Sequence, residues 1–286
     1  MAQRADFATS DGVSLVYEQT GDGPACLYIH GGPGSGYHWA KTFSGSLFEQ
    51  RFHMVYMDQR GCGLSTSPAA GDYSIERMVA DFEELRKSLG IEHWYIMGHS
   101  FAGVIMTEYA NRHPDSIDGM LMICCTLDIS ESLDWQSRNL ARILGHEALP
   151  ALKPGERPDL DRFIQLGNEA RSRGLWADVA FGSNEFMDAC NATYREFPNW
   201  NGDLSESVMS LPEYLEDKRP LSPAINVPVL FFSGRNDGMV GPDGVDKVRF
   251  PQMLVWESSG GHFPFMDDPQ GLQSAIDSFI RAFPRP

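Results

Sequence analysis

Cysteine is scarce and oddly placed. Five in 286 residues, with no C-x-x-C pair, fit neither a disulfide framework nor a zinc site and suit reduced thiols. Long apolar runs are missing too. None approaches the ~18 residues of a membrane span, and Met1 to Phe7 lacks the apolar core of a signal peptide. The expectation is a cytoplasmic protein without membrane contact. Basic residues are outnumbered, 23 Lys and Arg against 39 Asp and Glu. The resulting net charge of -16 argues against a nucleic-acid backbone or an anionic lipid surface as partner. There is no internal repeat and no low-complexity tract. What is present is 42% hydrophobic residues in a chain long enough for one large α/β domain with a smaller insertion.

The chain is organised around Gly98-His99-Ser100-Phe101-Ala102. An apolar run, Trp94 to Met97, reads as a buried strand, and Val104 to Arg112 reads as a helix. A serine on so tight a strand-to-helix turn needs small neighbours, which Gly98 and Ala102 supply. On its own the string is equally compatible with a serine that only caps a helix.

Around this turn the strand pattern repeats. Thr9 to Gln19 reads as part of a hairpin turning at Asp11-Gly12, and Ala25 to His30 is a strand running into Gly31-Gly32-Pro33-Gly34-Ser35-Gly36. So many glycines past a strand make a sharp turn or offer N–H groups to an anion. His53 to Asp58 is the next strand. Asp58 and Arg60, at its end, are read as pinning a loop rather than as catalytic. Ser74 to Leu89 is a helix capped by Ser74, with Gly90 past its last turn. Met120 to Cys125, Val227 to Phe232 and Met253 to Trp256 are further strands, and Pro269 to Phe283 is a closing helix. Strands alternating with helices indicate a mostly parallel, doubly wound sheet. Between Thr126 and Ser222 strand-like runs vanish and helical segments appear between breakers. The expected division is therefore a sheet domain of residues 1–125 and 223–286 carrying a helical cap of residues 126–222.

Acyl transfer by serine needs a base, a carboxylate to orient the base, and donors for the developing oxyanion. Ser100, Asp237 and His262 each follow a different strand, in that order along the chain. Loops past the carboxyl ends of parallel strands gather at one sheet edge. Among the eight histidines, His262 follows Gly260-Gly261 after a strand, whereas His30 is held in the glycine loop and His99 points off the turn differently.

His30-Gly31-Gly32-Pro33-Gly34, Asp58-Gln59-Arg60-Gly61-Cys62-Gly63-Leu64-Ser65 and the turn at Ser100 resemble the α/β-hydrolase superfamily, and within it the proline iminopeptidase family. The resemblance implies an α/β-hydrolase fold, Ser100 as nucleophile, His262 as general base and Asp237 as its orienting acid. It also implies an oxyanion hole formed by the N–H groups of Gly32 and Phe101. No metal or organic cofactor is required by such a cycle, and the partner expected is a small molecule or short peptide.

Two strings differ from the family's usual ones. The turn reads Gly98-His99-Ser100-Phe101-Ala102 where G-G-S-W-G is usual, and Trp135-Gln136 stands where many members carry Trp-Glu to hold a substrate ammonium. Glu169, Glu185, Glu196 and Glu213 are the remaining cap acids available for that purpose. Gly31, Trp135, Glu185, Phe186 and Glu196 are the candidate substrate-binding residues, with Phe101, Trp176 and Phe181 as further possible walls. Three readings stay open: an aminopeptidase, a carboxylesterase or lactonase, and a ligand receptor without turnover. Dehalogenase or epoxide hydrolase chemistry needs a carboxylate where Ser100 stands.

Overall fold

The computed structural model describes residues 3–153 and 155–284. β1 (Gln3–Ala8) and β2 (Ser14–Thr20) form the antiparallel hairpin that turns at Asp11-Gly12, where Gly12 takes φ +87°. The hairpin starts earlier than its apolar pattern suggests because Gln3, Arg4 and Asp6 sit on an edge strand, where no face must be buried throughout. β3 (Ala25–Ile29), β4 (His53–Met57), β5 (Trp94–His99), β6 (Ile117–Ile123), β7 (Val229–Gly234) and β8 (Met253–Ser258) follow. The order across the sheet is β1-β2-β4-β3-β5-β6-β7-β8. β3 to β8 pair in parallel, and β2 alone runs against them, with β1 antiparallel to β2 at the sheet edge.

The sheet is covered on both faces, which is why β5 and β7 are apolar without alternation and buried at every position. α1 (His38–Glu49) lies on one face. α2 (Ile75–Ser88) and α3 (Ala102–Arg112) lie on the other, burying Met78, Phe82, Val104 and Tyr109 against Leu27, Ile29 and Ile96. Ser74 caps α2 by accepting from Arg77 N at 3.2 Å. α1 carries no such signal. Its N-cap, Tyr37, makes no side-chain cap bond, and Gly45, Ser44 and Ser46 dilute its periodicity, so tertiary burial of Trp39 and Phe48 holds it.

Between β6 and β7 the chain is helical. α4 (Ile129–Leu144), α5 (Leu160–Ser172), α6 (Trp176–Ala180), α7 (Asn184–Arg195) and α8 (Asp203–Ser207) succeed one another, followed by short 3-10 turns to Ala224. Asp128, Asp159 and Ser183 each cap a helix by accepting from the amide three residues on. After β8, α9 (Pro264–Asp267) leads into α10 (Pro269–Ala282), which buries Leu272, Ile276 and Phe279 on the α1 face.

The loops after β3 and β4 are fixed by polar side chains. Arg60 is fully buried and binds both oxygens of Asp81 and both of Asp11, joining the post-β4 loop to α2 and the hairpin turn. His30 ends β3 with its ring buried. Its Nε2 accepts from Gln59 N at 3.0 Å, its Nδ1 donates to Gly31 O at 3.2 Å, and Gln59 Nε2 returns a bond to His30 O at 2.8 Å. Burial holds the ring neutral and pushes its pKa down from 6.5 to about 4. The unfolded chain therefore binds the proton more readily between those values. Stability from this group is complete above pH 6.5 and is lost as pH falls through about 4. The loss amounts to about 3 kcal/mol. Urea unfolding of the wild type should weaken over that interval, and His30→Gln should show a flatter pH slope. An unchanged slope in the variant would remove His30 as its source.

Candidate active site

Ser100 sits between β5 and α3 with φ +59°, a backbone region that side chains other than glycine rarely adopt. The conformation is held from both sides. Ser100 N donates to Ile123 O at 3.1 Å, and its carbonyl accepts from Thr126 N at 3.0 Å and Gly103 N at 3.1 Å. The helix can start this close to the strand only because the flanking residues are small. A Cβ on Gly98 would lie 2.8 Å from Ala102 Cβ, and one on Gly103 would overlap Thr126 O.

His262 follows β8. Its Nδ1 donates to Asp237 Oδ2 at 2.8 Å, which leaves the Nε2 lone pair facing the Ser100 hydroxyl at 3.0 Å. The structure thus brings Ser100, Asp237 and His262 together in hydrogen-bond sequence at the carboxyl edge of the sheet. Asp237 and His262 are buried, 2% and 5% exposed. The second oxygen of Asp237 accepts from Met239 N at 2.8 Å and Val240 N at 2.9 Å, so the carboxylate has little freedom to rotate. An Asp whose carboxylate accepts from amides two and three residues on is a local turn, a signal present in the sequence.

His262 and the Asp237 loop are each positioned by a neighbour. His99 donates from Nε2 to His262 O at 2.7 Å, and its pKa is driven well below the usual value by burial and by the adjacent His262, so it stays a neutral donor. Asp267 accepts from Gly261 N at 2.7 Å and holds the loop before His262, burial raising its pKa. On the acid side, α4 supplies three donors to one loop. Trp135 Nε1 reaches Asp237 O at 3.1 Å, Gln136 Nε2 reaches Met239 O at 3.1 Å, and Asn139 Nδ2 reaches Gly238 O at 3.2 Å.

The cavity above Ser100 has two lobes that meet at Gly32, Ser100, Trp176 and Met239. One, about 180 Å³, is walled by Trp39, Phe181, Tyr194 and Phe263. The other, about 390 Å³, is walled by Phe101, Leu133, Gln136, Phe163 and Arg171. Gly32, at φ +113°, lines both, and its N–H, like that of Phe101 at the start of α3, donates to no protein acceptor among the described residues. Gly31 packs beneath the turn, where a Cβ would overlap His99 O and lie 3.2 Å from Ser100 Cβ.

Several expected substrate contacts fall elsewhere. Trp135 points away from both lobes, because its indole N–H is committed to the Asp237 carbonyl and its ring lies against the Arg138 guanidinium. Phe186, Glu185 and Glu196 on and after α7 are outside both linings, the two glutamates being exposed. Glu169 binds His146 and Arg173, and Glu213 accepts from Ile75 N at the start of α2. Glu213 thus serves a helix N-terminus and Glu169 two surface ion pairs. Residues that sequence reasoning missed are Trp39, Tyr194, Met239, Phe263 and Arg171. Apart from Met239 and Phe263, which lie beside Asp237 and His262 in the chain, they carry no local signal, since Trp39, Tyr194 and Arg171 reach the cavity through the packing of α1, α7 and α5.

Two clusters bring potential metal ligands within 4.8 Å, His30-Asp58-Cys62 and Cys124-Asp237-His262. Both nitrogens of His30 and of His262 are engaged in the bonds above, so neither ring has a lone pair free for a cation.

The sheet, the serine turn and the Ser-His-Asp contacts together define an α/β-hydrolase architecture. The chain belongs to the alpha/beta hydrolase fold family, whose model matches residues 24–269. It is similar to the proline iminopeptidase of Neisseria meningitidis, 35% identical over 111 residues that make up 38% of this chain and 35% of that one. It is similar also to epoxide hydrolase 1 of Caenorhabditis elegans, 34% identical over 40% of this chain and 28% of that one. The matched stretches span about a third of these relatives' length. Among solved structures, a proline iminopeptidase-related protein from Thermus thermophilus superposes with a TM-score of 0.80 at 20% identity, covering 99% of this chain and 98% of the other. An esterase from Exiguobacterium antarcticum gives 0.75 at 17%, covering 98% and 100%. No described helix is long and apolar enough to cross a membrane.

Gly31→Ala should force the glycine loop away from the serine turn, since a backbone carbonyl cannot yield as a side chain does. The expected result is about 1–3 kcal/mol of lost stability in urea unfolding, with fluorophosphonate labelling of Ser100 slowed at least about tenfold. A variant as stable and as active as wild type would mean that the loop relaxes freely.

Proposed function

We propose that the protein is a serine hydrolase of the carboxylesterase or lactonase type, working through an acyl-enzyme on Ser100. The observation that supports this most is the pair of bonds made by His262, one to a buried carboxylate and one to a hydroxyl on a strained turn. Ser100 Oγ attacks the carbonyl carbon of an ester as His262 Nε2 takes its proton. Asp237 keeps Nδ1 protonated and balances the imidazolium that forms. The oxyanion accepts from Gly32 and Phe101 N–H, each worth about 3 kcal/mol to the transition state. His262 then protonates the departing alcohol, and water repeats the sequence to release the acid. The helical insertion, residues 126–222, acts as the cap, dividing acyl and alcohol portions between the two lobes.

An ester is favoured over the amide of an N-terminal amino acid by the charge of the site. An α-ammonium needs a carboxylate partner to leave water, and neither lobe is lined by Asp or Glu. The second reading, an aminopeptidase of the proline iminopeptidase kind, rests on the sequence relatives. The two separate on p-nitrophenyl butyrate and proline p-nitroanilide assayed side by side. Release from the butyrate, with little from the anilide, is expected, and Ser100→Ala should reduce it by at least about 10⁴-fold. Asp237→Asn should cost about 10⁴-fold through the wrong histidine tautomer. A folded protein that neither turns over these substrates nor is labelled at Ser100 by a fluorophosphonate would be a receptor instead.

A further inference from the structure

The larger lobe holds one permanent cation. Arg171, near the end of α5, lines it with its guanidinium carbon 3.9 Å from the centroid of the Trp176 ring, and Trp176 borders both lobes. Gly167, one turn earlier, leaves the room: a Cβ there would stand 3.1 Å from Arg171 Nη1. Nearby arginines of the insertion are neutralised, Arg138 by Asp134 and Arg173 by Glu169. Among the described residues Arg171 has no carboxylate within ion-pair distance; the residue as a whole is exposed, and partial desolvation of its guanidinium lowers its pKa. Other arginines of the insertion, such as Arg142, also have no ion-pair partner among the described residues, but they do not line this cavity.

A guanidinium flat on an indole uses its face, and its N–H edge remains available for a planar anion. A carboxylate matches that fork with two parallel bonds. The protein as a whole carries a net charge of -16, which repels an anion, so a local cation is needed if one is to be held at all. We propose that the substrate is an anionic ester, bearing a carboxylate remote from the scissile bond, and that Arg171 seated on Trp176 is the specificity-determining residue that receives it. This rests on the serine-hydrolase reading and adds the substrate's charge to it.

The test compares charged esters with their neutral methyl esters. One pair carries the carboxylate on the acyl chain, mono-p-nitrophenyl adipate. The other carries it on the leaving group, 4-butanoyloxybenzoate. In at least one pair the charged ester should show kcat/KM at least about tenfold higher. Arg171→Gln should erase that preference through KM with kcat kept, and Arg171→Lys should restore part of it. Equal rates within both pairs, or an Arg171→Gln change that lowers charged and neutral esters alike, overturns the proposal. Calorimetric titration of Ser100→Ala with monomethyl adipate and with 4-butanoyloxybenzoate keeps binding separate from turnover. Arg171-dependent binding of either without hydrolysis by the wild type would uphold the anion site and defeat the hydrolase reading. Absence of binding, with esters hydrolysed indifferently to charge, would do the reverse.

Discussion

The close approach of α3 to β5 at Ser100 is the constraint on which the site depends. It holds a non-glycine residue at φ +59°, a conformation costing on the order of 1–3 kcal/mol that survives only when its surroundings over-determine it. Here they do. The carbonyl of Ile123 takes the Ser100 amide, and Thr126 and Gly103 bind the Ser100 carbonyl; Ile123 ends β6, Thr126 follows it by three residues, and Gly103 is in the first turn of α3. The hydroxyl is thereby aimed out of the sheet edge while the start of α3 turns its first amides toward the same space. A freer serine would find its own rotamer and the base would have to follow it.

His262 and Asp237 arrive from later strands, and each is held by groups outside the chain of bonds that links them to Ser100. His99, beside Ser100 in sequence, fastens the backbone of His262, so the residue preceding the serine also fixes its hydrogen-bond partner. The acid loop is fastened from α4 by Trp135, Gln136 and Asn139. Movement of that helix would therefore move Met239, which lines both lobes and anchors Asp237 through its amide. Substrate cavity and acid orientation are mechanically one unit.

What could be read in the sequence follows the range of the interactions. Buried parallel strands and capped helices are local facts, so β3 to β8 and α2 are visible in apolar runs and in Ser74 and Gly90. The residues brought together at the sheet edge are visible because strand ends share one side, a rule of topology that needs no distances. α1 is not visible, since its stability comes from Trp39 and Phe48 meeting the sheet rather than from caps or periodicity. The cavity walls are hidden for the same reason. Trp135 on α4 and Trp176 on α6 have nothing local to tell them apart, yet one braces the acid loop and the other borders both lobes.

The two departures from the family's strings find their physical sense in these contacts. Ala102 stands where glycine is usual, and its methyl fits because Gly98 offers none in return; the pair shares one small volume between strand and helix. At Gln136 the side-chain amide donates to the Met239 carbonyl, a bond a glutamate could not make, since carboxylate and carbonyl would face each other as acceptors. The position thus serves the acid loop and leaves no negative charge over the serine. With that charge gone and Arg171 left unpaired at the same cavity, the electrostatic sign of the site is opposite to what an ammonium substrate requires, although most of the protein surface remains acidic.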